Sequence, residues 1–186
     1  MAPTAASPLA VLVVCTANIC RSPMGEAVLR HRAQSTGTAI DVSSAGFLLD
    51  GESPPADTIA VMAELGLDIS GHRSRIVQPE MVRAADLVVT MERSHARSLA
   101  VDVPDAADKV HTLGAVVAGL AQPGSSRRPF VERITTLGGQ RAASDLLGRG
   151  DDEVADPYGR ARKYHRRTAD RLDFLMTDLV AAIDES

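Results

Sequence analysis

Short uninterrupted apolar runs alternate along the chain with longer segments whose apolar residues recur every three or four positions. Such runs are typical of strands buried on both faces, and such spacing is typical of helices that cover them. Four strands are predicted, over residues 9–14, 40–44, 86–91 and 109–113. Because helical patterns lie between the strands, the chain is predicted to have an α/β fold with a parallel sheet covered on both faces.

The residues that start and stop helices fit these intervening segments. Pro23 stands near the start of the first helical pattern, whereas Pro54 and Pro55 open a second pattern that Gly66 ends. A third helix is predicted over residues 94–99. The last helix has the most regular spacing, and its apolar face is formed by Tyr164, Thr168, Leu172, Leu175, Met176, Leu179 and Ile183.

Residues 114–153 interrupt this alternation. Stretches rich in Gly, Pro or Ser at 122–126, 138–139 and 148–150 follow an apolar start. The segment is therefore predicted to contain some helix but much loop.

Composition and charge argue against a membrane-spanning, a secreted and a nucleic-acid-binding protein. The chain has 186 residues, 45% hydrophobic and 24% charged, which predicts one folded domain over residues 1–186 with a flexible N-terminus at 1–8. No apolar run reaches the ~18 residues of a membrane span. Two cysteines and an N-terminus without the basic start of a signal peptide predict reduced thiols in the cytoplasm. A net charge of −4 and 3% aromatic residues disfavour nucleic-acid binding.

The most informative motif lies between the first strand and the first helix. It consists of Cys15, Thr16, Ala17, Asn18, Ile19, Cys20, Arg21 and Ser22. A loop of this length between a cysteine and an arginine can curl around one tetrahedral oxyanion, with backbone N–H groups and the helix N-terminus directed at it. Arg21 can donate two hydrogen bonds to phosphoryl oxygens, and the same positive field favours the thiolate form of Cys15, which is a nucleophile. Ser22 can donate a hydrogen bond to that thiolate.

A possible general acid lies far downstream. Asp156 precedes the last helix and can protonate a leaving oxygen, while Pro157 stiffens its loop and Tyr158 can flank an aromatic leaving group. Both motifs also have ordinary explanations, since cysteines are often buried at strand ends and Asp-Pro is a common turn dipeptide. The order of strand, loop and helix is what favours the anion site.

Together these segments resemble the low-molecular-weight protein tyrosine phosphatase family. Matching motifs occur in chain order at residues 11–24, 44–46, 51–55, 71–75, 85–92 and 156–158, and residues 90–95 look most like bacterial members that act on capsule or exopolysaccharide tyrosine kinases. The resemblance implies a flavodoxin-like three-layer sandwich, in which helices cover both faces of a four-stranded parallel sheet. It also implies a protein-tyrosine phosphatase that hydrolyses phosphotyrosine through a phosphocysteine, with no metal or cofactor.

The same resemblance assigns roles to individual residues. Cys15 is the nucleophile, Arg21 the phosphate clamp, and Asp156 the general acid and then the general base. The supporting polar network would consist of Asn18, Ser22, Ser44 and His72, and the substrate cleft would include Phe47, Leu48 and Tyr158. Cys20 would either form a reversible disulfide with Cys15 or simply pack the loop. The implied partner is a phosphotyrosine protein, with a bacterial tyrosine kinase as one candidate, and we expect a monomer.

Four departures from the family pattern affect these expectations. Ala17 replaces a glycine, which is harmless if its φ is negative and costly if its φ must be positive. The cleft offers Phe47 and leucines where an aromatic is frequent, and Gly159 follows Tyr158 where the family has a second tyrosine. Residues 114–153 make the link before Asp156 longer than is usual for the family.

Other functions remain open at this point. A phosphotyrosine-binding pseudo-phosphatase would result if Ala17 or the 114–153 segment spoiled the geometry of the loop. An arsenate reductase needs two further cysteines, which the sequence lacks, and a phosphocysteine carrier needs no general acid. The basic run formed by Arg160, Arg162, Lys163, His165, Arg166, Arg167 and Arg171 could bind nucleic acid, form a solvated helix face, or steer acidic phosphopeptides towards the cleft.

Overall fold

A single parallel sheet organises the chain. The computed structural model describes residues 7–122, 128–147 and 150–185. Its strands are β1 (Leu9–Cys15), β2 (Ile40–Gly46), β3 (Leu87–Thr90) and β4 (Val110–Thr112). They lie in the order β2-β1-β3-β4, and every neighbouring pair is parallel. Because β1 is central, Cys15 at its carboxyl end lies in the middle of one sheet edge.

Seven helices connect or follow the strands in the described part of the chain. They are α1 (Arg21–Thr36), α2 (Ala56–Glu64), α3 (Pro79–Ala84), α4 (Arg93–Asp102), α5 (Leu113–Leu120), α6 (Phe130–Gln140) and α7 (Arg162–Asp184). Short 3₁₀ helices occur at Pro104–Lys109 and Ala143–Leu146. Within the described ranges, no helix combines the length and apolar character needed to cross a membrane.

The alternation of side chains along β1 divides the core into two halves. Val11, Val13 and Cys15 pack on the side of the sheet that carries α1 and α7, while Leu12 and Val14 pack on the side that carries α3 and α4. The result is a three-layer sandwich with helices on both faces. This confirms the predicted α/β fold of the flavodoxin-like type.

The 114–153 segment was predicted to contain some helix but much loop. Its described part contains helices α5 and α6 together with irregular stretches. Gly138 and Gly139 lie inside α6, so this glycine pair does not end the helix. The Gly/Pro/Ser stretches at 122–126 and 148–150 lie mostly outside the described residues. Residues 1–6 of the predicted flexible N-terminus lie entirely outside them.

Candidate active site

The loop that follows β1 returns directly into α1. Cys15 ends the strand and Arg21 begins the helix, so residues 16–20 form the whole connection. Cys15 is buried, and its Sγ lies 3.0 Å from the Oγ of Ser22 in the first turn of α1. The helix N-terminus, which favours anions, therefore lies beside the thiol.

Asn18 holds the tightest part of the loop. Its φ is +54°, and it is the only non-glycine residue with a positive φ in the described part of the chain. Its side-chain amide donates to the Oγ atoms of Ser22 (2.8 Å) and Ser44 (2.9 Å) and accepts from the backbone N–H of Arg75 at 3.0 Å. Its backbone carbonyl lies 2.8 Å from the Nε2 of His72. The four predicted network residues are therefore brought together, with Arg75 as an addition.

Ala17 does not occupy the strained position. The left-handed backbone conformation falls on Asn18, a residue type that tolerates it, and not on Ala17. The loop is therefore formed without the glycine that the resemblance led us to expect at position 17.

Arg21 is fully buried and is held by four groups. Its guanidinium donates to Glu92, to the Val154 carbonyl at 3.2 Å, to Thr16 Oγ1 at 3.0 Å and to Asp156 Oδ2 at 2.9 Å. Its Nε is buried without a hydrogen-bond partner among the described residues. Since a buried donor without an acceptor is costly, this atom indicates that the site accommodates a further acceptor such as a phosphoryl oxygen.

Glu92 and His95 complete the support of Arg21, and neither was among the predicted site residues. Burial raises the pKa of Glu92, but the hydrogen bond and charge of Arg21 outweigh this effect and keep that pKa below its usual value. Burial lowers the pKa of His95 to about 4, so its ring is neutral at pH 7. Thr16 Oγ1, which accepts from Arg21, lies within hydrogen-bond distance of His95 Nε2 at 2.9 Å. Residues 90–95 carried a family-type signal, but only the parallel pairing of β1 with β3 brings them to the loop.

The two thiols are free and both line the same cavity. Burial raises the pKa of Cys20 to about 11, and Thr58 donates a hydrogen bond to its sulfur at 3.5 Å. At neutral pH Cys20 therefore remains a protonated thiol. A disulfide with Cys15 stays a prediction.

A cavity of about 200 Å³ opens above the loop. Cys15, Arg21 and Asp156 all line it, and its apolar walls include Leu48, Leu49 and Tyr158. Leu48 and Tyr158 are 65% and 63% exposed, so they form its outer rim. Leu49 is the second of the two leucines that the sequence placed in the cleft loop. Phe47 lies outside this cavity and stacks on His95 with a ring-centroid distance of 5.5 Å.

The described residues contain no cluster of three or more His, Cys, Asp or Glu side chains suited to a metal ion. A family model described as "Low molecular weight phosphotyrosine protein phosphatase" matches residues 10–124. The chain belongs to this family. The family predicted from the sequence is thereby confirmed, and with it the prediction of a hydrolase.

Curated bacterial relatives of this phosphatase carry two kinds of name. A low molecular weight protein-tyrosine-phosphatase from Streptomyces coelicolor is 30% identical over 94% of this chain and 93% of its own length. The protein-tyrosine-phosphatase Etp of Escherichia coli is 39% identical over 56% of this chain and 68% of its own length. A protein-arginine-phosphatase from Geobacillus stearothermophilus is 29% identical over 92% of this chain and 94% of its own length.

Solved structures show the same two kinds of name, since YwlE from Geobacillus stearothermophilus is described as an arginine phosphatase. A low molecular weight protein tyrosine phosphatase from T. tengcongensis superposes with a TM-score of 0.73 at 30% identity, covering 93% of this phosphatase and 98% of that chain. A YwlE mutant from Bacillus subtilis gives a TM-score of 0.75 at 25% identity, covering 95% and 99% of the two chains. These structures share the fold over nearly the whole chain. Because their names differ in substrate, the substrate of this phosphatase has to be inferred from the residues of its cleft.

Proposed function

We propose that this chain hydrolyses phosphotyrosine in proteins through a phosphocysteine formed on Cys15. The observation that carries the proposal is that Cys15, Arg21 and Asp156 line one small cavity with apolar walls. A nucleophile, an anion clamp and a proton donor are the groups that a two-step phosphoryl transfer to sulfur requires.

In the first step the Cys15 thiolate attacks phosphorus and the bond to the phenolic oxygen breaks. Protonated Asp156 gives its proton to that leaving oxygen, so tyrosine departs as a neutral phenol. Arg21 and the N–H groups of the loop stabilise the negative charge on the equatorial oxygens. The unpaired Nε of Arg21 is available for one of them.

In the second step water attacks the phosphocysteine. The Asp156 carboxylate takes a proton from that water, the S–P bond breaks, and inorganic phosphate leaves with the thiolate restored. Ser22, whose Oγ lies 3.0 Å from the sulfur, stabilises the departing thiolate by donating a hydrogen bond. The backbone strain at Asn18 is maintained by its four hydrogen bonds, which pre-organise the loop for both steps.

Asp156 changes partner during this cycle. Without substrate its Oδ2 accepts from Arg21 at 2.9 Å, and its side chain is 43% exposed. A phosphoryl group binding to Arg21 competes for that donor and releases Asp156 towards the leaving oxygen. Glu92 stays on Arg21 throughout and keeps the guanidinium in place.

The walls of the cleft favour phosphotyrosine over phosphoarginine. Leu48, Leu49 and Tyr158 offer apolar contact to a phenyl ring, and Asp156 is the only carboxylate among the described lining residues. A guanidinium leaving group would require several acidic partners, and these walls supply only Asp156. The protein-arginine-phosphatase among the relatives makes phosphoarginine the second candidate.

The two rival functions have less support. A binding-only pseudo-phosphatase required a distorted loop, and Ala17 lies outside the strained position. Arsenate reduction requires further cysteines, but the sequence contains two cysteines, both in this loop. We further propose a cytoplasmic setting, which keeps the thiols reduced, and a tyrosine-phosphorylated bacterial protein, such as a tyrosine kinase, as substrate.

The proposal is tested with p-nitrophenyl phosphate and matched phosphotyrosine and phosphoarginine peptides, with a chelator present. Cys15→Ser should abolish turnover, and Asp156→Asn should lower kcat by roughly 10²- to 10⁴-fold. Asp151→Asn, a change of the same type at an exposed aspartate, should leave kcat within twofold of wild type. Absence of turnover by folded, reduced wild type would refute the proposal. A preference for the phosphoarginine peptide would make phosphoarginine, and not phosphotyrosine, the substrate.

A further inference from the structure

Three cations gather around one aromatic ring at the start of α7. The guanidinium carbon of Arg160 lies 3.7 Å from the ring centre of Tyr164, Lys163 Nζ lies at 5.3 Å, and the guanidinium carbon of Arg167 lies at 5.6 Å. All three cationic side chains are exposed. They form a compact positive surface on a chain whose net charge is −4.

These charges have no carboxylate partner in the described part of the chain. Their neighbours on the same helix differ in this respect, because Arg162 and Arg166 are both ion-paired with Glu64. Arg160, Lys163 and Arg167 repel one another and lie at the positive end of the helix dipole, where cations are unfavourable. Contact with the Tyr164 ring offsets only part of this cost. Helix stability therefore does not explain the cluster.

The cluster adjoins the rim of the active-site cavity. Tyr158 lines that cavity, Gly159 turns the chain at φ +71°, and the Arg160 N–H donates to the Pro157 carbonyl at 3.0 Å. This turn places Arg160 two residues beyond the wall of the cleft. A peptide whose phosphorylated side chain enters the cavity past Tyr158 can therefore extend towards Arg160, the first of these cations.

We propose that Arg160, Lys163 and Arg167, held around Tyr164, form a docking surface for acidic residues that flank the phosphorylated tyrosine of the substrate protein. The inference rests on the proposed function and adds to it a class of substrate, an acidic phosphotyrosine segment. Charge complementarity supports this occupant, because carboxylates provide the partners that the three cations lack. Nucleic acid is disfavoured by the overall negative charge and by the scarcity of aromatic residues.

The test compares two phosphotyrosine peptides that differ only in their flanks, Asp and Glu in one and Asn and Gln in the other. The double variant Arg160→Gln/Arg167→Gln should lower kcat/KM for the acidic peptide by about fivefold, as expected for two exposed ion pairs. Turnover of the neutral peptide and of p-nitrophenyl phosphate should change by less than twofold. The acidic preference of wild type should also shrink as salt rises from 0.05 to 0.5 M, since screening weakens exposed charge pairs.

The control is Arg97→Gln/Arg128→Gln, which removes the same charge at two exposed arginines with no ion pair in the described part of the chain. This variant should retain the acidic preference. Equal losses on both peptides, or the same loss in the control, would overturn the inference. The wild-type protein could instead bind single-stranded nucleic acid in a gel-shift assay and show no preference for the acidic peptide. If the Arg160→Gln/Arg167→Gln variant lost that binding, the surface would be assigned to a different partner. Failure of wild type on all three substrates would overturn the proposed function itself.

Discussion

Replacing Gly46 with alanine should displace the active-site loop without touching a catalytic group. Gly46 ends β2 in register with Cys15 of β1. A Cβ at this position would lie 2.7 Å from the backbone N of Asn18 and 2.9 Å from the carbonyl carbon of Ala17. Both are backbone atoms, so no flexible side chain can move aside.

Gly46 itself cannot retreat from this contact. Its N–H donates to the Arg75 carbonyl at 2.9 Å, and its carbonyl accepts from the Val77 N–H at 2.7 Å. The loop must therefore give way, by about 0.7 Å if ordinary contact at 3.4 Å is to be restored. Overpacking of this kind costs ~1–3 kcal/mol of unfolding free energy. A displacement approaching 1 Å next to the reacting groups can lower the rate by up to ~10²-fold.

The assay measures kcat/KM on p-nitrophenyl phosphate together with the free energy of unfolding in urea. Gly139→Ala is the matched control, because an added Cβ there meets nothing within 4 Å and Gly139 lies inside α6. The control should retain full activity and gain up to ~1 kcal/mol of stability. Wild-type kcat/KM in Gly46→Ala would show that the loop is not held by this close approach.

Two further predictions follow from buried titratable groups. Burial lowers the pKa of both His95 and His111 to about 4, below the ordinary 6.5, so the unfolded chain binds these protons first. The unfolding free energy should be maximal above pH 6.5 and fall by up to ~1.4 kcal/mol per pH unit per histidine between pH 6.5 and 5. In urea titrations His111→Gln should remove about half of that slope, and an unchanged slope would contradict it. Burial raises the pKa of Cys20 to about 11, so its thiol should not react with iodoacetamide at pH 7.5. The reagent should therefore inactivate wild type and Cys20→Ser alike. Mass spectrometry should show no modification of the Cys15→Ser protein. Labelling of Cys20 in the Cys15→Ser protein would refute this.

The parts of the fold that followed from sequence were those with a strong local signal. β1 and α7 were predicted within a few residues, because one is a continuous apolar run and the other keeps helical spacing over its whole length. α3 was missed because it spans only Pro79–Ala84, too few residues to show a period. α6 was not located because Gly138 and Gly139 look like a break. In the structure Gly138 is needed inside the helix, since a Cβ there would lie closer than 3.0 Å to the backbone of Asp108.

The site residues divide in the same way. Cys15 and Arg21 belong to one contiguous motif, whereas Glu92 reaches Arg21 only because β3 pairs with β1 and the Met91 N–H donates to the Val14 carbonyl at 3.2 Å. Carboxyl ends of adjacent parallel strands meet at one sheet edge, so the strand order would have indicated the residues after Thr90, although not which side chain faces the guanidinium.

The position of Asp156 depends on a tether that no local pattern contains. Two residues before it, the Val154 N–H donates to the Met91 carbonyl at 2.8 Å, and the Val154 carbonyl accepts from Arg21 at 3.2 Å. The segment that carries Asp156, the proposed general acid, is thus fastened to the end of β3 and to Arg21, the proposed phosphate clamp. Because the long 114–153 segment precedes this tether, its length can vary without moving Asp156, provided that Val154 keeps both hydrogen bonds. The 114–153 segment is longer than is usual for the family, but this extra length therefore leaves the proposed catalytic geometry intact.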